Sequence, residues 1–194
     1  VQASHLYGEK KDEPRQLAMM ETAYEQGLLD RSTDVVTMAY LYLNAEVPYP
    51  AARVMEQGLA AEIVEEKSKN FELAGSAWRQ AQETEKSIPM MERAAELADD
   101  GELYTRLGNV YLDGDKFQKA INSLEKGLSR GGVKRPDQAR LALGMAYFNL
   151  GNYKSARTVF RVAAKDDRSK KYARQWLKYI DSEQTRQEEL KRDI

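Results

Sequence analysis

Residues 102–128 read ELYTRLGNVYLDGDKFQKAINSLEKGL and residues 138–164 read QARLALGMAYFNLGNYKSARTVFRVAA; the two stretches superpose with an offset of 36 residues. In register, Leu107-Gly108 lies over Leu143-Gly144, Tyr111 over Tyr147, Phe117 over Tyr153, Ala120 over Ala156, Leu124 over Phe160 and Gly127 over Ala163. Self-similarity at this period marks an array of supersecondary units that bury their apolar faces by stacking. No segment alternates at strand spacing for more than a few residues, so each unit is read as a pair of helices. Small residues let two helices approach closely, and the large ones fill the space between pairs.

These spacings resemble the tetratricopeptide repeat, which places a small residue at position 8, an aromatic at 11, Ala at 20, a large apolar residue at 24 and Ala at 27. Scanning backward with that template finds Phe71, Gly75, Trp78, Ser87, Met91 and Ala94, and before them Ala39, Tyr42, Ala51, Met55 and Gly58. Successive copies lie 36, 33 and 36 residues apart. Tyr7, Met20 and Ala23 suit positions 11, 24 and 27 of a copy whose first helix is mostly missing. The resemblance implies an all-α, right-handed superhelical solenoid of helix-turn-helix repeats with a C-terminal capping helix. As one domain it divides into a partial repeat over 1–30, repeats over 31–66, 67–99, 100–135 and 136–168, and a cap over 169–194.

Local signals agree with these divisions. Pro14 and Pro50 suit first helical turns, Asp99-Asp100-Gly101 a cap before Glu102, and Asp115 and Asn152 the caps of second helices. Gly131-Gly132 and Pro136 fall in a connection. In the last segment, Tyr172, Ala173, Trp176, Leu177 and Ile180 form the apolar face expected of a cap, and the tail beyond about Arg186 is expected to fray.

Composition excludes several chemistries. The 194 residues hold 30 Lys+Arg against 31 Asp+Glu, a net charge of −1, which argues against coating nucleic acid or an anionic membrane. Cysteine is absent, so disulfides, thiolate metal sites and thiol nucleophiles are excluded. No run of eighteen apolar residues exists to span a membrane. A start at Val1 is read as a trimmed fragment, with a signal peptide, membrane helix or further repeats upstream left open.

His5, the sole histidine, has no second ligand and is read as a surface residue. Glu65-Glu66, Glu92, Glu96 and Asp166-Asp167 recur among Lys and Arg as solvated faces do. Asp113-Gly114-Asp115 lacks the alternating ligands of a calcium loop, and the connection Gly131–Pro136 lacks the Gly-Lys-Ser/Thr of a phosphate loop. The basic run Lys165, Arg168, Lys170, Lys171, Arg174 is interleaved with Asp166 and Asp167, which argues against nucleic acid. Met20, Met55 and Met91 fall at position 24 and belong to the interhelical core. The expectation is a protein with no catalytic residues, metal or cofactor.

The resemblance further implies that positions 2, 5, 9, 12 and 13 of each first helix face a concave partner groove. They are Thr33, Val36, Tyr40, Leu43 and Asn44; Glu72, Ser76, Arg79 and Gln80; Glu102, Thr105, Asn109, Leu112 and Asp113; and Gln138, Leu141, Met145, Phe148 and Asn149. From these, Tyr40, Leu43, Asn44, Arg79, Asn109, Leu112, Met145, Phe148 and Asn149 are the candidate partner-binding residues. Exposed Tyr40, Leu43, Met145 and Phe148 would anchor an extended or helical peptide at two points; alternatively, curvature buries some of them against the next helix. The chaperone-type carboxylate clamp requires Lys at 5 and Asn at 9, where the first full copy has Val36 and Tyr40. A homo-oligomer through Tyr7, Leu17 and Met20 is a further expectation, since no preceding repeat covers them.

Beyond the generic repeat, four strings resemble the tetratricopeptide proteins encoded with TonB energy-transduction systems in marine gamma-proteobacteria. They are LYLNAEVPYPAARVMEQGL (41–59), AWRQAQETEKSIPMMERAAELADDGELYTRLGNVYLD (77–113), RPDQARLALGMAYFNLGNY (135–153) and DDRSKKYARQWLKYIDSEQTRQEEL (166–190). Arg168-Ser169, Trp176 and Tyr179 in the last are not required by a generic repeat. The resemblance implies a periplasmic scaffold that contacts components of a TonB complex serving iron-siderophore uptake. The alternatives are a cell-envelope or cytoplasmic adaptor unrelated to TonB, and a docking module of a larger enzyme.

Overall fold

A computed structural model describes residues 12–192, and the regular structure of those residues is helical throughout. Contacts divide the chain into two compact units, residues 1–98 and 99–194. Stacked repeats make short-range contacts, so an array partitions between repeats rather than through them. The first unit contains α1 (Glu13–Glu25), α2 (Ser32–Asn44), α3 (Pro48–Ala60), α4 (Ser68–Gln80) and α5 (Thr84–Glu96). The second contains α6 (Glu102–Asp113), α7 (Phe117–Arg130), α8 (Pro136–Asn149), α9 (Tyr153–Ala163) and α10 (Lys170–Arg192).

In three repeats the helix pair closes on a glycine. A Cβ added to Gly75 would lie 2.6 Å from Met91 Cγ, one on Gly108 would lie 2.5 Å from Leu124 Cγ, and one on Gly144 would lie 2.6 Å from the Phe160 ring. Position 8 thus receives the large residue at position 24 of its own repeat. Met55, Leu124 and Phe160 are fully enclosed, and Met91 nearly so. In the first full repeat Ala39 takes the small position and is itself inaccessible. At position 20, Ser87 replaces Ala, and its Oγ donates 2.7 Å to the Gly75 carbonyl, so this enclosed hydroxyl carries no unmet hydrogen bond.

The turn inside each repeat is equally regular. The carbonyl of the position-11 aromatic accepts the N–H five residues on: Val47 to Tyr42 at 3.0 Å, Glu83 to Trp78 at 2.9 Å, Lys116 to Tyr111 at 2.8 Å and Asn152 to Tyr147 at 2.9 Å. This bond closes a Schellman-type end, which needs a left-handed residue just before the donor. That residue is Glu46 (φ 59°), Gln82 (φ 63°), Asp115 (φ 55°) or Gly151 (φ 73°).

Asp115, expected to cap the second helix, is therefore the left-handed residue, and the N-cap position falls on Lys116, whose side chain does not cap the helix. Asn152 does cap, accepting from Ser155 N–H at 3.1 Å. Asp100 accepts from Glu102 N–H at 3.0 Å, Pro14 lies in the first turn of α1, and Pro136 opens α8 instead of ending a connection.

Trp78 at position 11 is enclosed, with Lys86 Nζ 4.6 Å from its ring centroid and Tyr49 edge-on at 5.2 Å. Its indole N–H finds no hydrogen-bond partner among the described residues. Contacts of this kind to the π-face offset part of that cost.

Two further expectations change. Met20 is enclosed and Leu17 half-buried, so the first helix does not offer Met20 as an exposed contact; Tyr7 and His5 lie outside the described residues. Position 24 is an inward position in every copy, including the partial one. The capping helix continues to Arg192 rather than fraying at Arg186, with Gln187 Nε2 donating 2.9 Å to the Tyr153 hydroxyl.

Two substitutions test this packing by urea denaturation. Gly144→Ala is expected to destabilise the chain by about 1–3 kcal/mol through overpacking against Phe160, and Phe160→Leu to recover part of that loss in the double variant. Gln82→Gly is expected to stabilise by about 0.5–1 kcal/mol, because it removes a Cβ from a left-handed turn.

Candidate functional site

In the first unit, α1 and α2 enclose a shallow slot of about 300 Å³ lined by Glu13, Pro14, Leu17, Ala18, Glu21, Leu41, Asn44 and Ala45. Its floor is aliphatic because Leu17 and Ala18 lie about one turn from Pro14 and Glu21 on the same face of α1. Two bonds fix its rim. Asn44 Nδ2 donates to the Glu13 carboxylate at 3.3 Å, and the Tyr42 hydroxyl donates to Glu21 Oε1 at 2.9 Å. Burial, and then the Glu21 carboxylate, push the Tyr42 phenol well above its ordinary range, so it remains a donor.

Of the residues expected to bind a partner, Asn44 lines this slot. Tyr40, which precedes Leu41, is 53% exposed, and Leu43 is half-buried. Arg79 is exposed near the end of α4. Sequence spacing missed Leu17, Glu21 and Leu41 as slot residues, because the slot's first wall is a second-type helix, outside the first-helix pattern. The aliphatic Leu17-Ala18 between Glu13 and Glu21 is the signal that could have found it.

The second unit treats its candidates differently. Asn109 and Leu112 are half-buried and Asn149 is exposed. Met145 and Phe148, expected as exposed anchors, are partly buried against the core formed by Ala156, Phe160, Ala163, Ala173 and Ile180. The Phe148 ring lies 5.3 Å from each of the Tyr153, Trp176 and Tyr179 rings, and Phe160 stacks on Trp176 at 5.5 Å with an interplanar angle of 5°. At this end, burial against the next helix is the reading that describes their exposure. The capping helix brings Ala173, Trp176, Leu177 and Ile180 onto them. Tyr172, expected on the same face, is 58% exposed, because the helical pitch turns it off that stripe.

A charged cluster holds the start of α8. Asp137 is inaccessible and accepts from Arg135 Nε at 2.9 Å and Nη2 at 2.8 Å, with Arg168 Nη2 at 3.5 Å. Arg168 also donates to Asp166 at 2.9 Å. The Arg135 hydrogen bonds hold Asp137 below the usual carboxylate range, and those of Arg168 bring Asp166 down to about 2. The fixed charge of Asp137 also complements the N-terminus of α8. On α7, Glu125 accepts from the Tyr147 hydroxyl, which that bond and burial push up to about 12.

Several of the carboxylates singled out in the sequence are engaged with cations. Glu65 pairs with Lys67, Glu66 and Glu96 with Arg93, and Asp167 with Lys170. Among the described residues, no group of three or more His, Asp or Glu is placed to hold a metal ion, and no helix is long and apolar enough to cross a membrane.

The tetratricopeptide repeat family model matches residues 105–171, the region of the two best copies. No curated protein matches the sequence. Among solved structures, the chain is similar to YrrB, described as a TPR protein with an unusual peptide-binding site, with a TM-score of 0.75 at 19% identity over 90% of this chain and 88% of that one. It is similar to MamA with a TM-score of 0.70 at 20% identity, covering 87% of this chain and 90% of that one. The C-terminal part of a TPR repeat-containing protein from Cytophaga hutchinsonii gives 0.71 at 15% identity, covering 96% and 72%. At such identities the likeness defines the fold: the chain has the all-α solenoid fold of tetratricopeptide-repeat proteins.

Asp137 gives this site a pH signature. Its folded pKa lies below the unfolded value, so its stabilisation is present above about pH 4 and is lost as the pH falls through the folded pKa. In urea titrations, the stability gap between wild type and Asp137→Asn is expected to be widest at neutral pH and to narrow below about pH 4.

Proposed function

We propose that this chain is a non-catalytic scaffold that binds a protein partner, and that the partner belongs to a TonB energy-transduction complex in the periplasm. The observation that carries the scaffold reading is the α1–α2 slot: an aliphatic floor of Leu17, Ala18 and Leu41, a rim of Glu13, Glu21 and Asn44 in fixed positions, and Tyr40 exposed next to Leu41. A preorganised apolar recess with a polar rim and a neighbouring exposed aromatic suits one anchoring side chain of a peptide. The peptide-binding site in the description of YrrB, a structure of the same fold, favours the same use. The TonB assignment rests on the four sequence strings, the capping-helix string above all.

An affinity capture from a bacterial envelope extract tests both parts, with wild-type chain beside the Tyr40→Ala, Asn44→Ala double variant. The expected outcome is recovery of TonB-complex components by wild type and at least about tenfold less by the variant, whose urea midpoint is unchanged. Equal recovery by both removes the slot from the reading. Recovery of an unrelated partner alone removes TonB and leaves the scaffold.

A further inference from the structure

The exposed side of the capping helix is cationic in a way that folding does not explain. Residues 170–178 contain Lys170, Lys171, Arg174 and Lys178 and no carboxylate. Lys170, Arg174 and Lys178 form an i, i+4, i+8 ladder of like charge, which destabilises an isolated helix. The first turn of α10 carries no acidic residue, so its cations oppose the helix macrodipole. Lys170 pairs with Asp167 at 3.4 Å, while Lys171, Arg174 and Lys178 form no ion pair with a described residue. These three and Gln175 are exposed and lie opposite the buried stripe of Ala173 and Ile180.

Two adjoining recesses shape this face. One of about 390 Å³ is lined by the four cations with Asp167 and Gln175. The other, of about 210 Å³, is lined by Gln175, Trp176 and Tyr179. Gln175 is the shared wall between a cationic basin and an aromatic pocket sized for one side chain. Charge is also segregated along the chain: the first unit carries 17 carboxylates against 10 Lys+Arg, the second 14 against 20.

We propose that this face docks an acidic segment of a partner protein, its carboxylates on Lys171, Arg174 and Lys178 and one aromatic or large apolar side chain against Trp176 and Tyr179. Charge complementarity carries the choice of an acidic occupant, and the aromatic pocket beside the cations carries the choice of a peptide. Nucleic acid fits less well, because the Asp167 carboxylate lines the basin and the other unit is acidic. The surface uses none of the slot residues, so it extends the scaffold reading without depending on the identity of the slot's occupant.

The test is fluorescence anisotropy of the full chain with a fluorescein-labelled acidic peptide, GDEDWEDEG. Wild type is expected to bind, with affinity falling several-fold between about 50 and 300 mM NaCl. Lys171→Glu/Arg174→Glu/Lys178→Glu should weaken binding at least about tenfold while its far-UV circular dichroism stays that of the folded wild type, since an acidic first turn complements the helix macrodipole. Tyr179→Ala, and the peptide with Gly for Trp, should each lose several-fold, and Tyr40→Ala/Asn44→Ala should bind as wild type. Absence of binding, or equal binding by the charge-reversed variant, overturns the proposal. So does a single-stranded oligonucleotide of equal charge binding as tightly. Salt-sensitive self-association that charge reversal abolishes and the peptide does not inhibit would assign the face to a second copy and overturn it as well.

Discussion

The structure depends on how closely the two helices of each repeat approach. A hydrogen atom at Gly75, Gly108 or Gly144 lets Met91, Leu124 or Phe160 sit where a Cβ would otherwise be. Because that large residue fills its own repeat's small position, the position-11 aromatics and the Ala residues at 20 and 27 are left to pack the remaining surfaces of the pair. Close approach has a corollary for the turn. A short connection between antiparallel helices requires a sharp reversal, and the Schellman bond to the position-11 carbonyl provides it in all four copies. Glu46 and Gln82 adopt the left-handed backbone because the turn requires one, not because their side chains favour it, whereas Asp115 is a residue type that tolerates it.

The same logic explains what happens at the end of the array. The last repeat leaves Leu141, Met145, Tyr147 and Phe148 without a following repeat, and α10 supplies the missing face with Ala173, Trp176, Leu177 and Ile180. Arg157, which reaches Gln184 and Asp181, and the Tyr153–Gln187 bond hold the far half of α10, whose composition alone is too polar to stay in place. The burial of Phe148 and the exposure of the Lys171, Arg174 and Lys178 face thus have a common cause: a helix that closes the core with one side and leaves the other uncovered by the described residues.

The proposed functions rest on two surfaces. The carboxylates of greatest apparent interest are engaged with arginine and lysine, and Asp137, the most deeply enclosed, holds the start of α8. The preorganised features are an aliphatic slot with fixed polar edges in the first unit and a cationic face beside aromatic rings in the second. Both are the surfaces proposed above for recognition, and each joins apolar or aromatic side chains to fixed charges.

The repeat and its helix pairs were legible in the sequence, because close packing restricts positions 8, 20 and 24 to a few residue sizes and those restrictions recur. Met20, Met55 and Met91 could be assigned to the core on that basis alone. Exposure could not be read the same way: Met145 and Phe148 occupy nominal groove positions, yet the neighbouring helix half-buries them, and a periodic template contains no term for what lies beyond the last repeat. Asp115 looked like a cap because its side chain can cap; the backbone decided otherwise, since the turn needs its φ at 55°. Leu17-Ala18 and the basic run through Lys170, Lys171 and Arg174 stand in the sequence, but only the tertiary structure decided that they form a slot and an open cationic face, for a physical reason: a recess is made by residues distant in sequence, and a charge becomes a site only when packing fixes which side of the helix stays open.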